Sequence, residues 1–169
     1  MRSLWKLFAC AAAALAPFAA HAQAFPSKPV KLIVPFPAGG PADLFGRALA
    51  QGMAGELGQP VIVENLGGVG GVLGVDRAAK SDPDGYTLAL NSASTVAIAP
   101  YALAKMPYDV KKDLALVTTV VRVPEVLVVH PSVPVDSLAG LIAYAKKNPG
   151  KISFGSAGGG SITHLAGEL

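Results

Sequence analysis

The chain has 169 residues, 51% of them apolar, with 14 Lys and Arg against 11 Asp and Glu, three His and one Cys. Arg2 and Lys6 sit in an opening segment with no acid, and without them 12 basic residues face 11 acidic ones, so no basic face points to nucleic acid. The one cysteine, Cys10, lies in the same segment, which excludes a disulfide framework and thiolate metal ligands from the rest.

That opening, a charged start followed by "LFACAAAALAPFAA", is too short and Ala-rich to span a bilayer and predicts a secretory leader over residues 1–24. Ala20-His21-Ala22 and Ala22-Gln23-Ala24 are both A-x-A cleavage sites, so processing is expected after Ala22 or Ala24. Leu7-Phe8-Ala9-Cys10 loosely resembles a lipoprotein box but has almost no apolar region before it, and Cys10 is expected to leave with the leader.

"VKLIVPF" (30–36) predicts a buried strand, and "PAGGPAD" a tight turn into a helix over 42–57. Leu44, Phe45, Ala48, Leu49, Met53 and Leu57 are expected on its inner side, weakened by Gly46, Gly52 and Gly55. A second strand (61–66), a second helix (69–80), the turn Asp82-Pro83-Asp84-Gly85 and a third strand (86–92) follow. This β-α-β-α-β order with short links predicts a parallel α/β sheet with right-handed crossovers.

After Ser94 the texture changes. "TVAIAPYALAKMPYD" predicts a short helical segment closed by Pro107, and "LALVTTVVRVPEVLVVHP" two strands broken at Pro124, where a second sheet is expected to begin. A helix over 137–150 stopped by Asn148-Pro149-Gly150, a strand "KISFGSA" and a helix in "GGGSITHLAGEL" complete the order. That last pattern ends without a Gly or Pro terminator, and the chain is read as the N-terminal part of a longer protein. The expected division is residues 1–24 as leader, 25–120 as the first part of one lobe, and 121–169 as hinge and start of a second.

Three strands end in small, polar turns: Pro37–Asp43, Asn91–Thr95 and Ser156–Ser161. Ligands collect at the carboxyl ends of strands in open α/β sheets, although glycines in such turns more often serve only the turn. No Gly-Lys-Ser/Thr follows either glycine loop, which excludes a P-loop. "GGVGGVLG" (67–74) follows a strand, but Leu73 stands where a dinucleotide fingerprint needs its third Gly, and Asn91 replaces the acid. A nucleophile elbow at Ser156 fails because Phe154 occupies a required Gly position. His164 could share a cleft with Ser156, but no acid is visibly placed to orient it. His21, His130 and His164 are too scattered for a metal site, and no cofactor is called for.

The runs PFPAGGPAD, GQPVIVEN, PDGYTL and the block NPGK…SAGGGS…HLAGEL together resemble the Bug-type periplasmic solute receptors of tripartite tricarboxylate transporters, over essentially all of the chain past the leader. The resemblance implies a two-lobed α/β receptor of the periplasmic-binding-protein, Venus-flytrap kind, soluble in the periplasm, that closes on a small carboxylate and hands it to membrane permease subunits. Family members are roughly twice as long. Ala38, Pro41 and Ala42 depart from the family's PPGGG-Thr/Ser turn, removing a hydroxyl and a backbone N–H, and Gly159 stands where an Asn or similar residue is usual.

The ligand contacts expected from these turns are Phe36, Ala38, Gly39, Gly40, Pro41, Ala42 and Asp43 on one side, Ser92 and Ser94 at the floor, and Ser156, Ala157, Gly158, Gly160, Ser161 and His164 on the other. None of the turns carries Arg or Lys, so a carboxylate would be held by backbone N–H groups, hydroxyls and helix dipoles. Asp43 is expected to cap the first helix or to accept from a ligand amine or hydroxyl. Two alternatives remain: a secreted α/β hydrolase using Ser156 and His164, and a truncated receptor without function.

Overall fold

A computed structural model describes residues 24–169, so the leader expectation lies, but for Ala24, outside the described residues. The sheet is built from β1 (Val30–Val34), β2 (Val61–Asn65) and β3 (Thr87–Ala89), in the order β2-β1-β3 and parallel throughout, as expected. β1 is the central strand, with Val30 opposite Val61 and Lys31 opposite Ile62 and Thr87. Val30, Leu32, Ile33 and Val34 are each at most 2% exposed, which accounts for an apolar run where a one-sided strand would alternate. Removing each of them from water contributes about 1.5–3 kcal/mol.

Helix α1 (Pro41–Leu57) begins with Pro41, whose missing N–H costs nothing in a first turn. It ends at Gly58, whose φ of 63° is the left-handed cap conformation and whose N–H returns to the Ala54 carbonyl. Its inner face differs from the expected one. Asp43, Gly46 and Ala50 are buried, Leu49, Met53 and Leu57 are half-buried, and Leu44 and Phe45 face outward. Close approach explains this: a Cβ on Gly46 would lie 2.5 Å from Val34 Cγ2, so the helix rides on the sheet along its small residues.

The expected helix over 69–80 is two pieces, a 3₁₀ turn at Val69–Gly71 and helix α2 (Val72–Ala79), separated by the positive φ of Gly70 and Gly71. Val72 and Val75 of α2 join Ala99 and Tyr108 in a second buried cluster, flanked by Leu103, Met106 and Leu114. After β3 the chain makes a π-helical turn (Ser94–Ile98) and one turn of α-helix, α3 (Ala99–Ala102), which stops well before Pro107.

Helices α4 (Leu138–Lys147) and α5 (Ile162–Glu168) are present where helices were expected, each started by a serine N-cap, Ser137 and Ser161. The strands expected over 114–131 and 151–157 do not form, and no second sheet begins near 124 among the described residues. Val117, Val126 and Val128 are 75–85% exposed. A β pattern marks residues that suit a sheet, but a ladder needs a hydrogen-bonded neighbour.

Candidate functional site

Because the three strands are parallel, Val34, Asn65 and Ala89 end on one edge of the sheet, and the turns after them share that edge. The turn after β1 runs from Pro35 to Gly40. Phe36 is half-buried, Ala38 and Gly39 are exposed, and Gly40 is the N-cap of α1, with Pro41 and Ala42 as its first residues. Gly39 takes a φ of 82°, and its N–H donates to Asp43 Oδ2 at 2.9 Å. The N–H groups of Ala38 and Gly40 have no acceptor among the described residues.

Asp43 is 3% exposed, and two further side chains close on its carboxylate in a small space. Arg47 Nε donates to Oδ2 at 3.0 Å, and Asn65 Nδ2, from the end of β2, donates to Oδ1 at 3.0 Å and to the Phe36 carbonyl at 3.2 Å. Hydrogen bonds from Arg47, Gly39 and Asn65 hold the Asp43 carboxyl down at about 2, below its ordinary 3.8. Asp43 is therefore not the N-cap; it reaches back to the residue before the cap, and both its oxygens are engaged within the protein. Arg47 and Asn65 were not singled out from sequence. One is a turn inside α1 and the other closes β2, and only folding brings them to the turn.

The glycine loop after β2, set aside as a failed dinucleotide motif, lies at the centre of this edge. A Cβ on Gly67 would lie 3.3 Å from Pro37 Cδ, and one on Gly71 would lie 2.9 Å from Thr95 Cγ2 and 3.3 Å from Phe36 Cζ. One on Gly70 would meet the Gly159 carbonyl oxygen at 3.3 Å and the Ser161 nitrogen at 3.4 Å. Gly74 has Leu66 O and the Pro35 backbone within 2.8 Å of such a Cβ. These glycines exist because four turns meet there. The available signal was their position after a strand's carboxyl end, the same signal that marked the other turns.

At the floor, Ser92 and Thr95 close a small ring: the Ser92 N–H donates to Thr95 Oγ1 at 3.2 Å, and Thr95 Oγ1 donates to the Ser92 carbonyl at 2.9 Å. The Thr95 carbonyl accepts from Tyr108 Oη at 2.8 Å, a residue sequence reasoning passed over. Ser92 Oγ and Asn91 Oδ1 are inaccessible to solvent and have no hydrogen-bond partner among the described residues. Ser94 is 3% exposed, and its Oγ accepts the Ile162 N–H at 3.0 Å.

The fourth wall is the turn before α5. Ser156 Oγ accepts from the Gly158 N–H at 3.3 Å and Thr163 Oγ1 from the Ala157 N–H at 2.9 Å. Ser161 is buried, and its Oγ accepts the His164 N–H, so it serves the helix as its cap. Gly158 and Gly160 have φ of 107° and 77°, and the N–H groups of Gly159 and Gly160 find no acceptor among the described residues. Gly159 was not among the expected contacts. The His164 ring lies near Phe154, with centroids 6.2 Å apart, and 3.8 Å from Glu168, an acid the sequence reading had not placed beside it. No hydrogen bond joins His164 to Ser156 among the described residues. The same residues hold no group of three or more His, Cys, Asp or Glu able to bind a metal, and no helix long and apolar enough to cross a membrane.

Residues 45–169 match the family model described as "Tripartite tricarboxylate transporter family receptor". The chain is 46% identical over 149 residues to Protein BugT of Bordetella pertussis, covering 88% of this chain and 46% of that one. The solved structure of R. palustris Rpa4515 with adipate is 34% identical, with a TM-score of 0.80 over 85% of this chain and 48% of that one. MatC of Rhodopseudomonas palustris, solved with bound malate, is 40% identical with a TM-score of 0.51, over 53% of this chain and 30% of that one. The chain spans about half the length of the curated relatives it matches.

Proposed function

Because the chain belongs to the tripartite tricarboxylate transporter receptor family, we propose that it is the N-terminal part of a non-enzymatic, periplasmic solute receptor that captures a small carboxylate and presents it to membrane permease subunits. One observation carries this reading. Among the described residues the Ser92 hydroxyl oxygen is sealed from solvent without a partner, at an edge where the N–H groups of Ala38, Gly40, Gly159 and Gly160 also lack acceptors. Buried polar groups in folded proteins are nearly always paired, so the sealed Ser92 oxygen, on the same edge as these more accessible free donors, calls for a polar ligand or water. The donors are neutral, and the Arg47 guanidinium, on the helix that follows the first turn, is already engaged by Asp43 and Asn65.

Relatives solved with adipate and with malate support a carboxylate as the ligand class. Such a site holds its anion by several short hydrogen bonds and the helix-terminus field, each dipole end contributing ~0.3–1 kcal/mol when exposed and up to ~2 when partly buried. Binding then requires the ionised ligand and weakens little with added salt. Calorimetric titration of adipate and malate into the exported protein at low and moderate salt tests this. Gly158→Leu, at a φ of 107° where a side chain is strained, should abolish binding, and Lys151→Ala should leave it unchanged. Loss of affinity with Lys151→Ala or with moderate salt would replace this site by a cationic clamp. Intact-mass analysis of the exported product tests the address: an N-terminus after Ala22 or Ala24 is expected, and a lipidated species starting at Cys10 would refute it.

A further inference from the structure

Ahead of the Gly40 carbonyl, which accepts the Asp43 and Leu44 N–H groups as α1 begins, the turn that presents Ala38 and Gly40 is held at two points by hydrogen bonds from outside itself. The Phe36 carbonyl accepts from Asn65 Nδ2 at 3.2 Å, and the Gly39 N–H donates to Asp43 Oδ2 at 2.9 Å. Those two anchors are themselves joined, since the other hydrogen of Asn65 Nδ2 goes to Asp43 Oδ1 at 3.0 Å. Arg47 closes the circuit, donating from Nε to Asp43 at 3.0 Å and from Nη2 to Asn65 Oδ1 at 3.3 Å.

We infer that Asp43, Asn65 and Arg47 are positioning residues that fix the aim of the free Ala38 and Gly40 N–H groups, and that Asp43 is not itself a ligand contact. The inference rests on the receptor reading for its ligand and on geometry for its network. An amide suits position 65 because it donates twice and accepts once, with a single orientation that satisfies all three neighbours. A carboxylate there would face a carbonyl and another carboxylate. Asp43 has no oxygen without a donor, and it is 3% exposed among donors drawn from the turn backbone, α1 and β2. Two of its donors, Gly39 and Asn65, bind the turn itself or hold its other end. Displacing Asp43 therefore loosens both anchors at once, and the Ala38 and Gly40 donors on either side of Gly39 lose their fixed orientation.

The test combines amide exchange at Ala38–Gly40, read by NMR, with calorimetric affinity for adipate and malate, on the full-length receptor that contains this chain and its Asp43→Asn, Asn65→Ala, Asn65→Asp and Asn65→Gln variants. Expected are faster exchange at Gly39 and affinity weakened about tenfold or more in the first three, since each loses hydrogen bonds to a charged partner. Asn65→Gln keeps both donors and should regain part of the affinity, which a role confined to overall stability would not produce. Affinity that falls with Asp43→Asn but survives Asn65→Ala would make Asp43 a direct contact and overturn the inference, as would unchanged exchange at Gly39 in Asp43→Asn. If the full-length parent receptor bound no carboxylate, the receptor reading would fall, and the exchange rates would still decide whether the network holds the turn.

Discussion

The hydroxyl oxygen of Ser94 accepts the backbone N–H of Ile162 at 3.0 Å, although 68 positions separate them. This bond ties the first residue of α5 to the floor of the β-sheet edge, and Ser94 is nearly sealed from solvent at 3% exposure. Ser94→Ala leaves that N–H without its acceptor and is expected to cost about 1 kcal/mol. Urea denaturation measures the cost, and hydrogen exchange at Ile162 should quicken more than at Leu165. Equal exchange in both chains would show that α5 does not depend on this bond.

Two glycine-to-alanine changes should have opposite signs. At Gly52 a Cβ meets nothing within 4 Å, so Gly52→Ala should stabilise α1 by up to about 1 kcal/mol through helix propensity. At Gly74 the same atom would lie 2.5 Å from the Leu66 carbonyl oxygen and 2.8 Å from Pro35 Cα, both backbone. Gly74→Ala should therefore destabilise by ~1–3 kcal/mol through forced separation of α2 from the turn after β1. Thermal melts of the two variants against the parent decide the matter, and a shift in the same direction for both would contradict the packing described.

Acid should expose the role of Asp43. Its carboxyl is held at about 2 in the folded chain against an ordinary 3.8, chiefly by Arg47, then by Gly39 and Asn65. The unfolded chain takes up the proton first, so this stabilisation is complete above roughly pH 5 and is lost as pH falls through the folded value. The melting-temperature gap between the parent and Asp43→Asn should be constant from neutral pH to about 5 and close as pH approaches ~2. A gap independent of pH over that range would mean that the charge of Asp43 contributes nothing.

Tyr108 makes the complementary alkaline prediction. Burial, with a smaller effect from the Asp76 charge, pushes its hydroxyl from 10.0 up to about 12. The neutral form is favoured in the fold, so stability starts to fall as pH rises past the unfolded value near 10 and goes on falling until the folded group ionises. Tyr108→Phe should cost ~0.5–1.5 kcal/mol at neutral pH by stranding the Thr95 carbonyl, and should flatten part of the alkaline limb. Denaturation midpoints from pH 8 to 11 give the readout; a limb equally steep in both chains would assign it to other groups.

Some of this architecture is written locally. The unbroken apolar run of β1, Pro41 at the start of α1, Gly58 at its end and the serine caps of α4 and α5 each act through their own neighbours in sequence, within one or two turns. For that reason the parallel β-α-β order, the helix positions and the edge where the turns gather were legible from residue types and spacing. The motifs that place the chain among tricarboxylate-type receptors are likewise short and contiguous.

Which face of α1 turns inward was not legible, because it was settled by neighbours outside the helix. Leu44 and Phe45 are the more apolar residues, yet Gly46 is buried because Val34 leaves no room for more, and Asp43 is buried because Asn65 and Gly39 meet its charge. The strand-like run over 114–131 stayed unpaired for the same kind of reason: side-chain pattern is a property of one segment, and a ladder is a property of two. The sequence by itself determined the segments and their order through β3, and the places of α4 and α5. Only the tertiary structure decided the site, since its hydrogen bonds join residues as far apart as Phe36 and Asn65 or Ser94 and Ile162, and no local periodicity records a partner 29 or 68 positions away.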